Sequence, residues 1–322
     1  MYTIGVDLGG TNIAAGLVDQ EMKIVKKGSV PTRPERGGDA IMADMAELCR
    51  SLAKEAGISL AEISSIGIAS PGTILYEEGM VERSDNLNFY RFPIADKLRA
   101  LLPGMTVYLE NDANAAAWAE AICGAARGTR DSVMITLGTG LGGGLVINGK
   151  IYAGHNGAAA ELGHVLVKKG GRMCNCGRRG CFEAYCSATG LIASTKDMME
   201  ECRRLKRTTL MTEEAERYGK VNARVAFNAM KRGDVYARKV VEEYREYLAD
   251  GIIDLINIFQ PEVLSIGGGI CNEGEHLLSP DFLKKIEEEQ FTRDADHKTA
   301  IRIAELGNDA GIIGAAMLGQ NA

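Results

Sequence analysis

Residues 137–183 read LGTGLGGGLVINGKIYAGHNGAAAELGHVLVKKGGRMCNCGRRGCFE, and the two ends of that stretch decide how the chain is read. The first end is dense in glycine. The second holds His164, Cys174, Cys176 and Cys181 in an H-x9-C-x-C-x4-C spacing, with Glu161 and Glu183 beside them. Four soft or borderline ligands in so short a span suit a tetrahedral zinc ion. Gly177 and Gly180 let the backbone turn tightly enough to bring the sulfurs together. Scattered core cysteines and disulfides are the competing readings. Nothing in the chain looks secreted, and thiols in a reducing compartment stay reduced, so zinc is favoured. Cys186 is a spare thiol close enough to confuse the ligand set.

The glycine run fits two phosphate-binding patterns and fails both on context. Gly138, Gly140 and Gly143 match G-x-G-x-x-G, which must follow a strand and open a helix. Residues 132–137 read as a strand, but 144–147 read as a second strand. Gly144, Gly149 and Lys150 match G-x4-G-K, but Ile151 stands where a hydroxyl should hold magnesium. What survives is a hairpin whose bare backbone can approach phosphate oxygens. Taken alone, it is equally a tight hairpin with no ligand.

It is not alone. The chain opens YTIGVDLGGTNIAAGLVD, a strand ending at Asp7, a Gly9-Gly10-Thr11 turn and a returning strand. Two such hairpins facing each other would grip a triphosphate, with Thr11 and Thr139 supplying hydroxyls. Asp7 is placed to bind magnesium through water, since magnesium keeps much of its hydration. By itself Asp7 reads as a turn cap.

The strings DLGGTN, ENDANAAA, LGTGLGGG, ELGH, CNCGRRGCFE and IGGGI stand in this order along the chain. The set resembles the ROK family of bacterial sugar kinases and repressors, most closely its glucokinases, over nearly the whole length. The resemblance implies a two-lobed α/β fold of the actin/hexokinase-like (ribonuclease H-like) kind, with ATP and sugar in the cleft. Residues 1–111 would form the N-terminal lobe, with a closing helix at about 306–322 packing back on it. Residues 112–305 would form the C-terminal lobe with a zinc knuckle at 164–183. The resemblance also implies that Gly9, Gly10, Thr11, Asn12, Gly138, Thr139 and Gly140 hold Mg-ATP together with Asp7, and that Gly267, Gly268 and Gly269 lie beside the adenosine. Gly72 and Asn111 would contact the sugar, as would Glu161, His164 and Glu183. One ring nitrogen of His164 would bind zinc while the other reaches the sugar.

Asp112 carries two readings. It follows a strand at 105–109 and opens an alanine-rich helix at 113–126, where aspartate often serves as the N-cap. A carboxylate at such a junction is also a good place for a general base. Spacing alone favours the cap; the resemblance makes Asp112 the base that takes the sugar hydroxyl proton.

At 322 residues, 46% hydrophobic and 25% charged, the chain has room for two domains with large cores. A net charge of −6 argues against sequence-independent nucleic-acid binding. Met1 leads straight into a strand, no run of about 20 apolar residues suggests a span, and the expected location is the cytoplasm. The rest of the chain supplies expected helices at 39–56, 187–205, 212–232, 235–259, 281–289 and 309–317. Strands are expected at 23–30, 63–69, 263–266 and 300–304. In the helix at 235–259, Tyr244, Leu248, Ile252, Leu255 and Phe259 make an apolar stripe suited to lobe core or a dimer interface. His276 follows the third glycine turn and falls near the nucleotide on one reading, on the surface on another.

The expected activity is ATP-dependent phosphorylation of glucose to glucose 6-phosphate, with magnesium and structural zinc, in a homodimer or homotetramer. The alternatives are an N-acetylglucosamine or mannose kinase, and a non-catalytic sugar sensor. Repressors of the family carry a helix-turn-helix domain ahead of the DLGGTN-like strand, and this chain starts at that strand. Polyphosphate is used as donor by some relatives.

Overall fold

The computed structural model describes residues 1–321. The chain runs as β1 (Tyr2–Leu8), β2 (Asn12–Val18), β3 (Ile24–Pro31), α1 (Gly38–Glu55), β4 (Ile63–Ser70), β5 (Thr73–Leu75), β6 (Met80–Ser84) and β7 (Phe89–Phe92). Next come α2 (Ile94–Leu101), β8 (Thr106–Asn111), α3 (Asp112–Cys123), β9 (Ser132–Leu137), β10 (Leu141–Ile147) and β11 (Lys150–Ile151). It continues as α4 (Glu183–Cys186), α5 (Ala188–Arg204), α6 (Leu210–Arg217), α7 (Arg224–Lys231), α8 (Val235–Phe259), β12 (Val263–Gly267), α9 (Pro280–Glu289), β13 (Ala300–Ile303) and α10 (Ala310–Ala316). Among the described residues no helix is long and apolar enough to cross a membrane.

Two compact units result. The first comprises Met1–Met134, Gly143–Ala160 and the chain from Ala304 onward; the second comprises Ile135–Gly142 and Glu161–Ile303. The division therefore does not fall at residue 112. Helix α3 stays with the first unit because its alanines pack on α10 and β4: Ala69, Ala115 and Ala315 form one buried cluster.

In the first unit the sheet order is β3-β2-β1-β4-β8. The hairpin strands β1, β2 and β3 are antiparallel, while β4 runs parallel to both β1 and β8. Alternate residues of a strand face opposite sides. Accordingly Ile66 and Ile68 of β4 join Met45 of α1 and Leu98 of α2 in one core, and Gly67 meets α10 on the other face. The approach of α10 leaves no room for a methyl group. A Cβ at Gly5 would fall on the carbonyl oxygen of Ile312, one at Gly67 on that of Ala315, and one at Gly314 on that of Ala115. The chain entering α10 is held by Glu120, a fully buried carboxylate. It accepts backbone N–H groups from Ala125 (2.7 Å), Leu306 (2.8 Å) and Glu305 (3.1 Å). A three-stranded sheet, β5-β6-β7, also belongs to this unit.

A second five-stranded sheet has the order β11-β10-β9-β12-β13, with β12 and β13 parallel. In the second unit the stripe residues Tyr244, Leu248, Ile252 and Leu255 of α8 are buried. Gly251 of α8 gives its space to the ring of Phe182, which follows Cys181 directly. The helix expected over 212–232 is two helices, α6 and α7, broken after Gly219 at φ 68°.

Gly67→Ala tests the close approach. Inserting a methyl group into a filled space costs about 1–3 kcal/mol or more. The variant should unfold at a lower temperature in calorimetry, and an unchanged transition would refute the packing of α10 on β4.

Candidate active site

In the first unit the candidate residues collect where β1, β4 and β8 end. Asp7 pairs with Ala14 on β2 and Ala69 on β4, and Asn111 pairs with Ser70 on β4. The Gly9–Asn12 turn is closed by the Gly9 N–H donating to the Asn12 carbonyl at 2.9 Å. Thr32, fully buried at the end of β3, secures it from below. Its hydroxyl donates to the Gly9 carbonyl at 2.6 Å and its N–H to the Thr11 carbonyl at 2.9 Å. The turn's carbonyls are thus engaged inside the protein. Thr32 carries no motif and is invisible to sequence reading.

The cap of α3 is Asn111, not Asp112. The Asn111 Oδ1 accepts from the N–H groups of Ala113 (2.9 Å) and Asn114 (3.2 Å), and its Nδ2 donates to the Gly72 carbonyl at 3.2 Å. Gly72 has φ 104°, and a side chain there would strike the Arg83 carbonyl. With capping done one residue earlier, Asp112 is the first helical residue, and one of its oxygens accepts from the Ala113 N–H at 2.9 Å. Beneath this junction lies Glu110, buried, holding the Asn111 N–H (2.8 Å), the Asn114 Nδ2 (3.1 Å) and the Tyr76 hydroxyl.

Loss of water raises the pKa of both aspartates. Asp7 moves from 3.8 to about 6, through burial first and repulsion from Asp112 second. Burial also lifts Asp112 above the ordinary carboxylate value, against the downward pull of the Ala113 N–H. Asp7 is hemmed in by α10: a Cβ at Gly311 would lie 2.9 Å from its Cγ and Oδ2.

In the second unit the glycine turn and the Cys/His cluster meet at Glu183. The turn is closed by the Gly138 N–H on the Gly140 carbonyl at 3.1 Å. The start of α5 ties it down: the Ala188 N–H donates to the Gly138 carbonyl (2.8 Å) and the Thr189 hydroxyl to the Thr139 carbonyl (2.7 Å). Glu183, the first residue of α4, accepts the Leu141 N–H on Oε2 at 2.9 Å, while its Oε1 lies 3.7 Å from the Cys174 sulfur. A Cβ at Gly140 would sit 2.5 Å from Glu183 Oε2, so a side chain there would displace the Glu183 carboxylate.

The ligand atoms of His164, Cys174, Cys176 and Cys181 all lie within 4.8 Å of one another. His164 Nδ1 is 3.7 Å from the Cys174 sulfur, and the sulfurs of Cys176 and Cys181 are 3.6 Å apart. Two thiolates bound tetrahedrally at about 2.3 Å from one ion stand about 3.8 Å apart. The four atoms therefore fit the corners of a single metal site. The other ring nitrogen, Nε2, faces Glu161 Oε2 at 3.8 Å. Cys186 is outside the set, fully buried with its sulfur against the Tyr244 carbonyl, and all eight cysteines are free thiols. Arg172 fastens the cluster loop to the helices that follow. Its guanidinium donates to the carbonyls of Ala184 (2.8 Å) and Gly190 (3.1 Å), and its N–H donates to the Tyr185 hydroxyl at 2.6 Å.

A cavity of about 440 Å³ opens beside the same turn. Its walls are Leu137, Gly138 and Thr139, the first residue of α5, the loop between α6 and α7, and the short helical turn that begins at Gly269. The broken helix makes this wall. Asn222 accepts the Arg224 N–H at 2.9 Å just ahead of α7, and Tyr218, Asn222 and Arg224 line the cavity. Gly268, at φ 91°, brings the third glycine turn against the backbone of Leu137. Of the three glycines only Gly269 lines the cavity. His276 does not: it is exposed and its carbonyl receives Arg245.

The ROK family profile matches residues 3–322. The chain belongs to the ROK family. It is 38% identical to the glucokinase of Thermotoga maritima over 98% of this chain and 96% of that one. It is 36% identical to the glucokinase of Halalkalibacterium halodurans over 98% and 94%. Among solved structures, a ROK family glucokinase from Streptomyces griseus in complex with glucose and AMPPNP superimposes with a TM-score of 0.79. That match has 32% identity and covers both chains fully.

In this ROK protein the raised Asp7 carboxylate has a measurable cost. A group whose folded pKa lies above its unfolded 3.8 opposes folding once it ionises, so the penalty is complete above pH 6 and absent below about pH 4. Asp7→Asn should stabilise the magnesium-free protein by about 3 kcal/mol at pH 7–8, with the gain fading toward pH 4. Thermal melts across pH would read it; a gain that is flat with pH would contradict the assignment.

Proposed function

We propose that this protein transfers the γ-phosphoryl group of ATP to the 6-hydroxyl of glucose, with Asp112 as the general base. The observation that carries the reading is the Asn111–Asp112 junction: Asn111 does the capping, leaving Asp112 as the first helical residue, desolvated and with one oxygen on the Ala113 N–H. A carboxylate lifted toward neutral pH is a better proton acceptor than an ordinary one. The identity to two glucokinases supports the substrate, and the similar glucokinase in complex with glucose and AMPPNP supports the donor.

In this mechanism Asp112 takes the proton as the sugar oxygen attacks phosphorus. The new O–P bond forms as the bond to the β-phosphate oxygen breaks, and ADP carries away the negative charge. The N–H groups of the two glycine turns other than those of Gly9 and Gly138, which close the turns, bind phosphate oxygens, and the cavity beside Thr139 and Gly269 takes the nucleoside. Gly267 and Gly268 shape that cavity from behind. Asp7 would hold magnesium through its water shell; the ion supplies neutralisation of the phosphate charge. Gly72, Asn111, Glu161, His164 and Glu183 recognise the sugar hydroxyls. His164, Cys174, Cys176 and Cys181 would hold zinc, which supplies a structural brace with no open position. With Nδ1 of His164 committed to that cluster, Nε2 is oriented for a hydroxyl.

Initial rates of ADP formation from Mg-ATP with glucose, N-acetylglucosamine, mannose and fructose test the reading. The expected result is the highest kcat/KM for glucose; preference for another sugar would keep the mechanism and change the substrate. Asp112→Ala should lower kcat by about 10²–10⁴-fold, and near-normal turnover would remove the base assignment. Metal analysis of the purified protein should find a single zinc ion per chain, lost in Cys176→Ala together with thermal stability. Zinc-free protein that melts unchanged would overturn the knuckle.

A further inference from the structure

The cavity beside the second glycine turn has one acidic side chain in its wall, Glu273. That side chain is only 11% exposed, and its Oε2 is held by the Lys231 ammonium at 2.6 Å. It stands on the helical turn that starts at Gly269, a turn braced by Asn272 Nδ2 donating to the Gly269 carbonyl at 3.0 Å. The remaining lining is apolar at Leu137, Ala188, Ala223 and Ile270, and its other charged residue, Arg224, is exposed.

We propose that Glu273 selects the phosphoryl donor: its carboxylate accepts a hydrogen bond from the nucleoside, so the cavity takes a nucleoside triphosphate and rejects a bare polyphosphate chain. This rests on the kinase reading above. An ionised carboxylate only accepts, and Lys231 satisfies part of its capacity; the rest calls for a neutral N–H or O–H donor. A nucleoside brings such donors in its ribose hydroxyls and in the adenine amine, and a base to cover the apolar wall. A polyphosphate chain brings neither. The volume is also that of a small-molecule site, which typically spans about 300–1,000 Å³. Phosphates alone need no such chamber beyond Thr139.

The test is calorimetric binding to the full-length protein, with magnesium, of ATP, 2′-deoxy-ATP, 3′-deoxy-ATP, inosine triphosphate and tripolyphosphate. Wild type should bind ATP at least about tenfold more tightly than tripolyphosphate, and about tenfold more tightly than the one analogue lacking the group that Glu273 reads. Which analogue suffers separates ribose from adenine recognition. In Glu273→Gln the amide oxygen still meets Lys231, so the fold is kept, but the carboxylate acceptor is gone. ATP should weaken by about tenfold there, the sensitive analogue should weaken no further, and the margin over tripolyphosphate should shrink. If wild type binds ATP and phosphorylates glucose yet the analogues bind alike, the inference falls and the kinase stands. The same holds if Glu273→Gln keeps the wild-type ratios. If wild type binds no nucleotide, both fall.

Discussion

Two carboxylates that have lost water stand near each other at the ends of parallel strands, and the first unit is built to keep them there. What acts on Asp7 is burial and the charge of Asp112; no cationic side chain among the described residues offsets either. Alone this arrangement is unfavourable, because each ionised group opposes the other and neither is solvated as it would be in the unfolded chain. Asp7 is closed in on one side by α10, since its Cγ and Oδ2 lie 2.9 Å from where a Gly311 Cβ would stand. Helix α10 cannot draw back, since Gly5, Gly67 and Gly314 let it sink onto β1, β4 and α3, and Glu120 fixes the chain that enters it. The packing of small residues thus holds an electrostatic debt that a proton or a cation relieves.

What could be read from sequence is what is local. The hairpins at both glycine turns follow from strand–turn–strand patterning within about 20 residues, and the metal-site cluster from ligands packed within 18 positions (164–181). Long amphipathic helices such as α1 and α8 are legible for the same reason: their buried faces repeat every turn. The missed features depend on neighbours distant in the chain. Thr32 matters because β3 brings it under Gly9, and Glu120 because residues 305 and 306 return to it. The break between α6 and α7 was signalled only by Gly219 and by Asn222 just ahead of α7, inside a stretch of good helix formers.

The Asn111–Asp112 pair shows how a single position changes a residue's work. Asparagine and aspartate are both good caps, so composition does not separate them. The difference lies in what each group does when buried. An amide serves as both acceptor and donor, so Asn111 closes two helix N–H groups and the Gly72 carbonyl at once. A carboxylate has no proton to give Gly72 and carries a charge that capping would stabilise. Moving it one residue along keeps the Ala113 N–H on one oxygen and leaves its basicity raised by burial.

Glu183 does the comparable work in the second unit, and it removes the apparent separation between the metal cluster and the glycine turn. Oε2 takes the Leu141 N–H and Oε1 approaches the Cys174 sulfur, so one carboxylate touches both. Its position is in turn set by the cluster loop, which Arg172 straps to the carbonyls of Ala184 and Gly190 on α4 and α5. The first residues of α5 then hold the carbonyls of Gly138 and Thr139. A closed circuit results: cluster to α4, α4 to α5, α5 to the turn, and the turn back to Glu183. Glycine turns are flexible by nature because nothing restricts their φ and ψ. Here the freedom that lets Gly140 come within reach of a carboxylate is taken away by hydrogen bonds from residues that the Cys/His cluster loop itself positions. The cysteine loop therefore acts at a distance from its own cluster: what it rigidifies is the backbone of the Gly138–Gly140 turn.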